Sequence, residues 1–255
     1  MPNILVIAGP NGAGKSTAAP RLIGQRLGIA EFVNADVIAA GLAAFAPESV
    51  AIEAGRVMLR RLHGLAMERK DFAFETTMAS RSFAPWLAKL RRSHGYRFHL
   101  AYLWLPGPEM AIMRVAGRIR LGGHAVPPED VRRRYRRGLE NFFSLYLPIA
   151  DSWEMHDNST STAKLIAARE GAGSIRFGNQ ALWETILDRM TAKEQESTYG
   201  AESEPRLMGV PVSEVMEIFT LAGRDALMRH KALGVPIVIW RDGRVVEIAP
   251  DDIQV

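Results

Sequence analysis

The chain has 255 residues, of which 47% are hydrophobic and 24% are charged, with a formal net charge of +4 and no cysteine. This composition is that of a globular protein, and the length allows one large α/β domain with a smaller appendage. Without cysteine there are no disulfides or thiolate metal sites, no histidine spacing suggests zinc, and no apolar run is long enough to span a membrane. The sequence therefore predicts a cytoplasmic protein with no signal peptide and no membrane partner.

The charge is unevenly distributed along the chain. From Glu202 onward there are nine acidic and six basic residues, a net charge of −3, so residues 1–201 carry a net charge of +7. This asymmetry predicts an anionic ligand for the first part of the chain, and it also fits docking of the two parts on one another. A fusion of two domains that differ in composition is the alternative explanation.

The first predicted element is a buried strand at residues 4–8, followed by a glycine-rich turn and by a helix that starts near Lys15. Strand, turn and helix are the context in which G-x-x-x-x-G-K-[ST] predicts a phosphate-binding P-loop. Backbone N–H groups and the helix N-terminus would bind a polyphosphate, while Lys15 reaches the β- and γ-phosphates and Ser16 binds Mg²⁺. The predicted nucleotide-binding residues are Gly9, Pro10, Asn11, Gly12, Ala13, Gly14, Lys15, Ser16 and Thr17.

A short second strand is predicted at residues 31–33, and Asp36 follows its carboxyl end. In open parallel sheets the ligand crevice lies at the carboxyl ends of the strands. Asp36 is therefore a candidate for the general base that accepts the proton of an attacking hydroxyl. Asp36 could also be the N-cap of the helix that continues from Val37, and the two roles are compatible.

A helix is predicted over residues 47–69, followed by a third strand at residues 72–74. This strand ends in three polar residues, Glu75, Thr76 and Thr77. Glu75 is placed to hold a metal-bound water or a substrate hydroxyl, and the threonines are placed to bind an anionic substrate group. Alternatively, the threonines and Ser80 only cap the helix predicted at residues 83–92.

A strand at residues 96–105 and a helix at residues 109–121 lead to a Gly/Pro-rich loop and then to a helix at residues 129–141 that contains five arginines. Helix, loop and arginine-bearing helix have the layout of a kinase lid, which closes over the phosphates and brings arginines to the transferring group. We expect one or two of these arginines, with Arg118 or Arg120, to serve the triphosphate. A solvated basic face and a nucleic-acid contact are the alternatives.

Strands at residues 152–157 and 164–169 and a helix at residues 179–193 complete the first predicted domain. We therefore predict an α/β P-loop NTPase or kinase fold over residues 1–195. Its central sheet is mostly parallel and flanked by helices, and it carries an arginine-bearing lid.

The polar residues 196–207 are predicted to form a linker. Residues 208–255 are predicted to form a small domain of one or two helices over residues 212–233 and a β-hairpin with an Asp-Gly turn. No set of residues in this domain suggests chemistry of its own. At this size it is expected to pack on the first domain or on a partner.

Five motifs, in this order, resemble the zeta-toxin family of P-loop kinases. They are residues 9–16, 34–36, 74–77, 118–134 with its Gly-Gly-His segment, and 157–159. The resemblance covers about residues 1–195 and implies a phosphotransferase that depends on ATP or GTP and on Mg²⁺. The best-known members phosphorylate the 3′-hydroxyl of the sugar in UDP-N-acetylglucosamine and are the toxins of bacterial toxin–antitoxin pairs.

The resemblance also implies roles for individual residues. The expected catalytic residues are Asp36 as the base, Lys15, Arg118 and Arg134. Arg118 and Arg133 are expected to join the P-loop in binding the nucleotide. The expected substrate-binding residues are Asn34, Asp36, Glu75, Thr76, Thr77, Arg81 and His124, and the expected acceptor is a nucleotide sugar.

Residues from about Met208 onward are similar to small proteins encoded beside zeta-like kinases, which are presumed antitoxins. The likeness lies in residues 229–231, 238–243 and 248–250. It implies a toxin fused to an antitoxin-like domain that inhibits the kinase in cis, and a stabilising extension or a dimerisation element is the alternative. Two other functions stay open, namely a nucleotide-driven ATPase switch and a nucleic-acid-associated ATPase, although no nucleic-acid partner is expected.

Overall fold

The computed structural model describes residues 1–26, 28–43, 47–120, 126–199, 206–207, 210–211, 231, 236–241 and 244–252. The chain divides into two compact units, residues 1–190 and residues 191–255. The first unit contains the P-loop and every described residue of the predicted site. Within the described ranges, no helix combines the length and the apolar character needed to cross a membrane.

Seven strands of the described chain form the central sheet. They are β1 (Asn3–Ala8), β2 (Glu31–Val33), β3 (Phe72–Thr76), β4 (Arg97–Trp104), β5 (Ser152–Asp157), β6 (Lys164–Glu170) and β7 (Arg176–Phe177). Their order is β2-β3-β1-β4-β5-β6-β7. The first five strands pair in parallel, and β6 and β7 add to the β5 edge in antiparallel pairing. The predicted α/β fold with a mostly parallel sheet is confirmed.

The described helices are α1 (Lys15–Arg26), α2 (Ala35–Leu42), α3 (Ala51–Met67), α4 (Phe83–His94), α5 (Pro108–Arg120), α6 (Pro128–Asn141) and α7 (Gln180–Tyr199). The helix predicted at residues 47–69 starts instead with a 3-10 turn, Pro47–Val50, before α3. After α6 the chain continues as a π-helical segment, Phe142–Tyr146, which was not predicted. α7 extends to Tyr199, beyond the predicted end at residue 193.

The two faces of the sheet are covered by different helices. On one face, Ile4, Val6 and Phe74 pack against apolar residues of α3, α4 and α7. On the other face, Leu5 and Ile7 pack against α1, and the end of β4 packs against α5 and α6. Because β1 is buried on both faces, it reads as a continuous apolar run rather than as an alternating pattern. Each large apolar side chain buried in this way contributes about 1.5–3 kcal/mol to stability.

α7 is attached to the sheet by aromatic packing. Trp183 of α7 stacks on Trp153 of β5 with a ring-centroid distance of 5.2 Å and an interplanar angle of 14°. Both rings are almost fully buried. The N-terminal half of α7 is thus part of the core of the first unit.

The second unit contains two small antiparallel sheets in its described residues. One pairs β8 (Arg206–Leu207) with β9 (Val210–Pro211), and the other pairs β10 (Ile237–Arg241) with β11 (Arg244–Ile248). The β10–β11 pair lies at the predicted hairpin, whose turn residues 242–243 are outside the described residues. Apart from residue 231, the predicted helical region over residues 212–233 is also outside them.

Candidate active site

The predicted P-loop lies between β1 and α1, at the carboxyl edge of the sheet. Residues 9–14 form the turn, and Lys15, Ser16 and Thr17 form the first turn of α1. Gly12 has φ of 75°, and a Cβ added there would lie 2.8 Å from the carbonyl oxygen of Ala111 in α5. The turn therefore needs glycine at this position for both its backbone conformation and its packing on α5.

Lys15 is a buried cation with few protein partners. Its Nζ donates to the carbonyl oxygen of Pro10 at 2.9 Å and lies 3.7 Å from Oε1 of Glu75. Burial lowers the pKa of Lys15, as does the positive charge of Arg118, while the negative charges of Glu75 and Asp36 raise it. The balance is a net lowering of the pKa, which negative charge from a bound ligand would oppose.

Glu75 connects the P-loop to the second and third strands. Its Oε2 accepts hydrogen bonds from Ser16 Oγ and from Asn34 Nδ2, each at 2.8 Å, while Oε1 faces Lys15. The parallel register pairs Ile7 of β1 with Glu75 of β3, which brings the carboxyl end of β3 beside the P-loop. Lys15, Ser16, Asn34 and Glu75 are thus joined by direct contacts.

Asn34 is the N-cap of α2. Its Oδ1 accepts from the backbone N–H groups of Asp36 and Val37, at 2.7 and 3.3 Å. The alternative prediction that Asp36 caps this helix is therefore wrong, because Asn34 precedes it and already satisfies the free N–H groups. Asp36 lies in the first turn of α2 with an exposed side chain, and its charge acts on Lys15.

The loop after β3 folds back on itself and packs against α6. Thr76 Oγ1 accepts from the N–H of Met78 at 3.0 Å, so Thr76 closes a local turn. Asn141 of α6 donates to the carbonyl oxygen of Met78 at 2.7 Å. The hydroxyl of Ser80 accepts from the N–H of Ser82, just before α4. The threonines therefore do not cap α4, although Ser80 bonds to the residue that precedes it.

The arginines of the predicted lid differ in their surroundings. Arg132 forms two hydrogen bonds to Glu109 at 2.9 and 3.1 Å, and Arg133 lies 2.7 Å from Asp130. Arg134 is partly buried and stands one turn before Gly138, on the side of α6 that contacts the β3 loop. Arg118 is partly buried in the last turn of α5. Of the remaining predicted substrate residues, Thr77 and Arg81 lie in the β3 loop, and His124 lies outside the described residues.

Two residues that contact the P-loop had no role assigned from the sequence. Asn158, just after β5, donates from Nδ2 to the carbonyl oxygen of Ala13 at 2.7 Å. Arg114 of α5 donates to the carbonyl oxygens of Asn158 and Ser159 at 2.7 and 2.8 Å. The sequence does place a polar residue, Asn158, at the carboxyl end of a central strand, which is a signal for a site residue. Its partner Ala13 lies 145 residues away in the sequence, so the pattern gives no direct indication of their contact.

The oxygen donors near the P-loop fit a magnesium ion. Ser16 Oγ and the Glu75 carboxylate lie together at the N-terminus of α1, and Mg²⁺ prefers such oxygen ligands, completed by water and substrate phosphates. Among the described residues, no group of three or more His, Asp or Glu side chains forms a metal site made of protein ligands alone.

The family model described as an AAA domain matches residues 4–142. Among solved structures, the chain is similar to AvrRxo1-ORF1:-ORF2 with ATP, at 18% identity and a TM-score of 0.59 over 73% of this chain. It is also similar to a structure from the PezAT chromosomal toxin–antitoxin system of Streptococcus pneumoniae, at 16% identity and a TM-score of 0.51, over 77% of this chain and 86% of that one.

The length covered differs among these relatives. The chain spans 63% of the AvrRxo1 chain that it matches. A Haemophilus influenzae protein that carries the description "uncharacterized" is 28% identical over 127 residues, 50% of this chain and 88% of that protein. At these identities the structural likenesses establish the fold, a mostly parallel α/β sheet with a P-loop at its carboxyl edge.

Proposed function

Because this chain belongs to the AAA domain family, we propose that it is an ATP-dependent kinase that phosphorylates a hydroxyl group of a small molecule. The observation that carries the proposal is the contact set of Lys15, Ser16, Asn34 and Glu75 at the carboxyl ends of β1, β2 and β3. A buried cation, a hydroxyl and a carboxylate beside a helix N-terminus are the groups that phosphoryl transfer requires.

In the proposed complex, the backbone N–H groups of the P-loop bind the β- and γ-phosphates of ATP, and Lys15 neutralises the charge on the γ-phosphate. Ser16 and Glu75 would hold Mg²⁺, directly or through water. The ion supplies positive charge to the phosphate oxygens when bound. Arg118, whose charge already acts on Lys15, and Arg134 of α6 stabilise the negative charge of the transferring group.

Asp36 is the proposed general base. The acceptor hydroxyl oxygen bonds to the γ-phosphorus while the bond from that phosphorus to the ADP oxygen breaks, and the hydroxyl proton goes to the Asp36 carboxylate. The exposed position of Asp36 and its electrostatic effect on Lys15 support this role. Asn34 holds the helix that carries the base, through its hydrogen bond to the backbone of Asp36.

The proposed acceptor is a nucleotide sugar such as UDP-N-acetylglucosamine. Its binding residues are Asn34, Asp36, Glu75, Thr76, Thr77, Arg81 and His124. The resemblance to zeta toxins supports this choice, and the structural likeness to a PezAT chain supports a role as the toxin of a toxin–antitoxin system. Phosphorylation of such an acceptor would withdraw it from cell-wall synthesis.

The test is incubation of the full chain with γ-labelled ATP and a panel of UDP-sugars, scored for label in the acceptor. Asp36→Asn should lower transfer at least about 100-fold, because it removes the base, while ATP binding stays within twofold. Glu53→Gln, which neutralises an exposed acid in the first turn of α3, is the matched control and should transfer normally. Normal transfer by Asp36→Asn would show that Asp36 is not the base.

The labelling experiment and a nucleic-acid binding assay together separate the alternative functions. Release of labelled phosphate without a labelled acceptor would indicate an ATPase switch. Retention of the chain on DNA or RNA that falls steeply with salt would indicate a nucleic-acid-associated ATPase.

A further inference from the structure

Asn158, directly after β5, forms a side-chain hydrogen bond to the backbone of the P-loop turn. Asn158 Nδ2 donates to the carbonyl oxygen of Ala13 at 2.7 Å, and the backbone N–H of Asn158 donates to the carbonyl oxygen of Trp104 at the end of β4. A Cβ added to Gly14 would lie 2.8 Å from Nδ2 of Asn158. The amide of Asn158 therefore packs directly against the Ala13–Gly14 peptide.

This contact determines which way that peptide faces. The described chain has no cis peptide bond, so the C=O of Ala13 and the N–H of Gly14 point in opposite directions. Since the Ala13 carbonyl points at Asn158, the Gly14 N–H points away from Asn158. Among the hydrogen bonds of the described residues, this N–H donates to no protein acceptor. It is therefore free to donate to a ligand phosphate.

Arg114 fixes the turn that carries Asn158. Its guanidinium donates to the carbonyl oxygens of Asn158 and Ser159 at 2.7 and 2.8 Å. Asp157 adds a local bond, because its Oδ1 accepts from the N–H of Ser159 at 2.9 Å. Arg114 also lies one helical turn before Arg118 on α5, and the charge of Arg118 acts on Lys15.

We infer that Asn158 is a positioning residue for the polyphosphate, because its side-chain amide, held in place by Arg114, orients the Gly14 N–H into the phosphate cradle. The inference rests on the nucleotide binding of the proposed function but not on the identity of the acceptor. Asn158 acts on the phosphate chain and not on the rest of the nucleotide.

The test measures binding of a fluorescent ATP analogue to the full chain, with displacement by inorganic tripolyphosphate and by adenosine. Asn158→Ala should weaken binding of the analogue and of tripolyphosphate about tenfold, the effect of one lost hydrogen bond. Displacement by adenosine should change less than twofold. Asn158→Asp keeps the size of the side chain, loses the donor and adds negative charge, so its loss should be larger.

Arg114→Ala provides a second way to disturb the position of Asn158, because it removes the guanidinium that holds residues 158 and 159 but keeps the Cβ that lies near Gly12. It should weaken tripolyphosphate binding in the same direction. Ser159→Ala is the control, since only the backbone of Ser159 contacts Arg114. Thermal melting of each unliganded variant separates loss of fold from loss of phosphate binding.

Tripolyphosphate binding by Asn158→Ala at the strength of the unaltered chain would overturn the inference, as would an equal loss of tripolyphosphate and adenosine binding. Failure of the unaltered chain to bind tripolyphosphate would overturn it as well. Failure to phosphorylate any acceptor would contradict the proposed kinase function and would leave the binding result intact.

Discussion

At the level of single residues, Glu75 joins the parts of the candidate active site. One of its carboxylate oxygens accepts from Ser16 and Asn34, and the other pairs with Lys15. Both charged side chains of the pair are close to fully buried, at 7% and 10% exposure. A buried pair of this kind contributes little net stability, because desolvation offsets the attraction. In the proposed mechanism its role is functional, since the negative charge of Glu75 favours the charged form of Lys15.

Lys15 gives the first prediction. Lys15→Ala should lower phosphoryl transfer at least about 100-fold, because it removes the positive charge nearest the transferring group. Single-turnover transfer at saturating ATP is the measurement. Lys89→Ala, at an exposed position of α4, is the control and should keep the normal rate. An unchanged rate in Lys15→Ala would contradict the whole proposed mechanism.

The second prediction concerns pH. Burial lowers the pKa of Lys15 below its ordinary value of 10.5. ATP favours the protonated ammonium, so ATP affinity should fall as pH rises through this lowered pKa. The unfolded chain, by contrast, keeps that proton up to about pH 10.5, so this group makes folding more favourable as pH rises through the same window.

Binding of a fluorescent ATP analogue between pH 7 and about 10.5 checks this prediction. Lys15→Met is the control, because it lacks the titrating group and should show a flatter profile. An affinity of the unaltered chain that stays constant over this range would contradict the assignment.

The sequence predicts the P-loop well because the pattern is local. Strand, glycine-rich turn and Lys15-Ser16 occupy one continuous stretch. The N-cap was harder to assign, because Asn34 and Asp36 are both good capping residues and only the backbone decides between them. The contact between Ser16 and Glu75 depends on the register of two strands that are far apart in the sequence. A single sequence carries no direct signal for such a register.

At the level of elements, α6 and the β3 loop form one packed assembly. A Cβ added to Gly138 would lie 2.4 Å from the carbonyl oxygen of Thr77, so the loop rests directly on the helix backbone. One turn further, Asn141 donates to Met78, and Tyr146 of the π-helical segment donates to the carbonyl oxygen of Ser80. The C-terminal half of α6 therefore fixes the proposed acceptor loop.

Gly138 gives the third prediction. Gly138→Ala should destabilise the protein by about 1–3 kcal/mol, because the new methyl group would overlap the backbone carbonyl of Thr77 and force the helix or the loop to shift. It should also raise the KM for the acceptor more than the KM for ATP, since the displaced loop carries Thr77. Urea unfolding and steady-state kinetics with each substrate varied in turn are the measurements.

Gly64→Ala is the matched control for Gly138→Ala. Gly64 lies in α3, and a Cβ there would have no neighbour within 4 Å. The substitution should stabilise the protein by about 0.5–1 kcal/mol through helix propensity alone. Equal effects of the two alanines would show that the contact with Thr77 does not matter.

Most elements follow from sequence patterns because their apolar residues repeat with helix or strand spacing. The change to π-helical geometry at Phe142–Tyr146 is different. There the buried rings of Phe142 and Tyr146 pack into the core, with Phe142 4.7 Å from Tyr102 between ring centroids. Such a change depends on tertiary packing, which the spacing of apolar residues along the chain does not report.

At the level of the whole molecule, charge is unevenly distributed along the chain. Residues 1–201 carry a net charge of +7, and the remainder carries −3. We propose, as the sequence resemblance implies, that residues 208–255 act as an antitoxin-like inhibitor of the kinase in cis. Attraction between opposite charges weakens with salt, so inhibition of this kind should also weaken with salt.

The fourth prediction uses a protease site inserted after residue 201, beyond the end of α7 at Tyr199. Cleavage and removal of the C-terminal piece should raise kinase activity several-fold at low salt, and the gain should shrink as salt is added. The uncut chain with the same insertion is the control. Equal activity before and after cleavage would instead favour a stabilising extension or a dimerisation element.

The parallel order of the central strands could be anticipated from the alternation of strands and helices. The antiparallel pairing of β6 and β7 at the edge could not be anticipated, because the residue pattern of Lys164–Glu170 is compatible with either strand direction. Its direction is set by the short connection 158–163 between β5 and β6, where the chain reverses beside the P-loop. That reversal also brings Asn158 to its partner Ala13.

The pairing of Ile7 with Glu75 makes the candidate site sensitive to errors in strand alignment. A shift of one residue between β1 and β3 would turn the Glu75 side chain to the opposite face of the sheet. Such a molecule would keep most of its secondary structure and lose its contact with Ser16. Core substitutions at Phe72 or Phe74 that loosen this alignment should therefore yield protein that stays helical by circular dichroism yet fails to retain nucleotide.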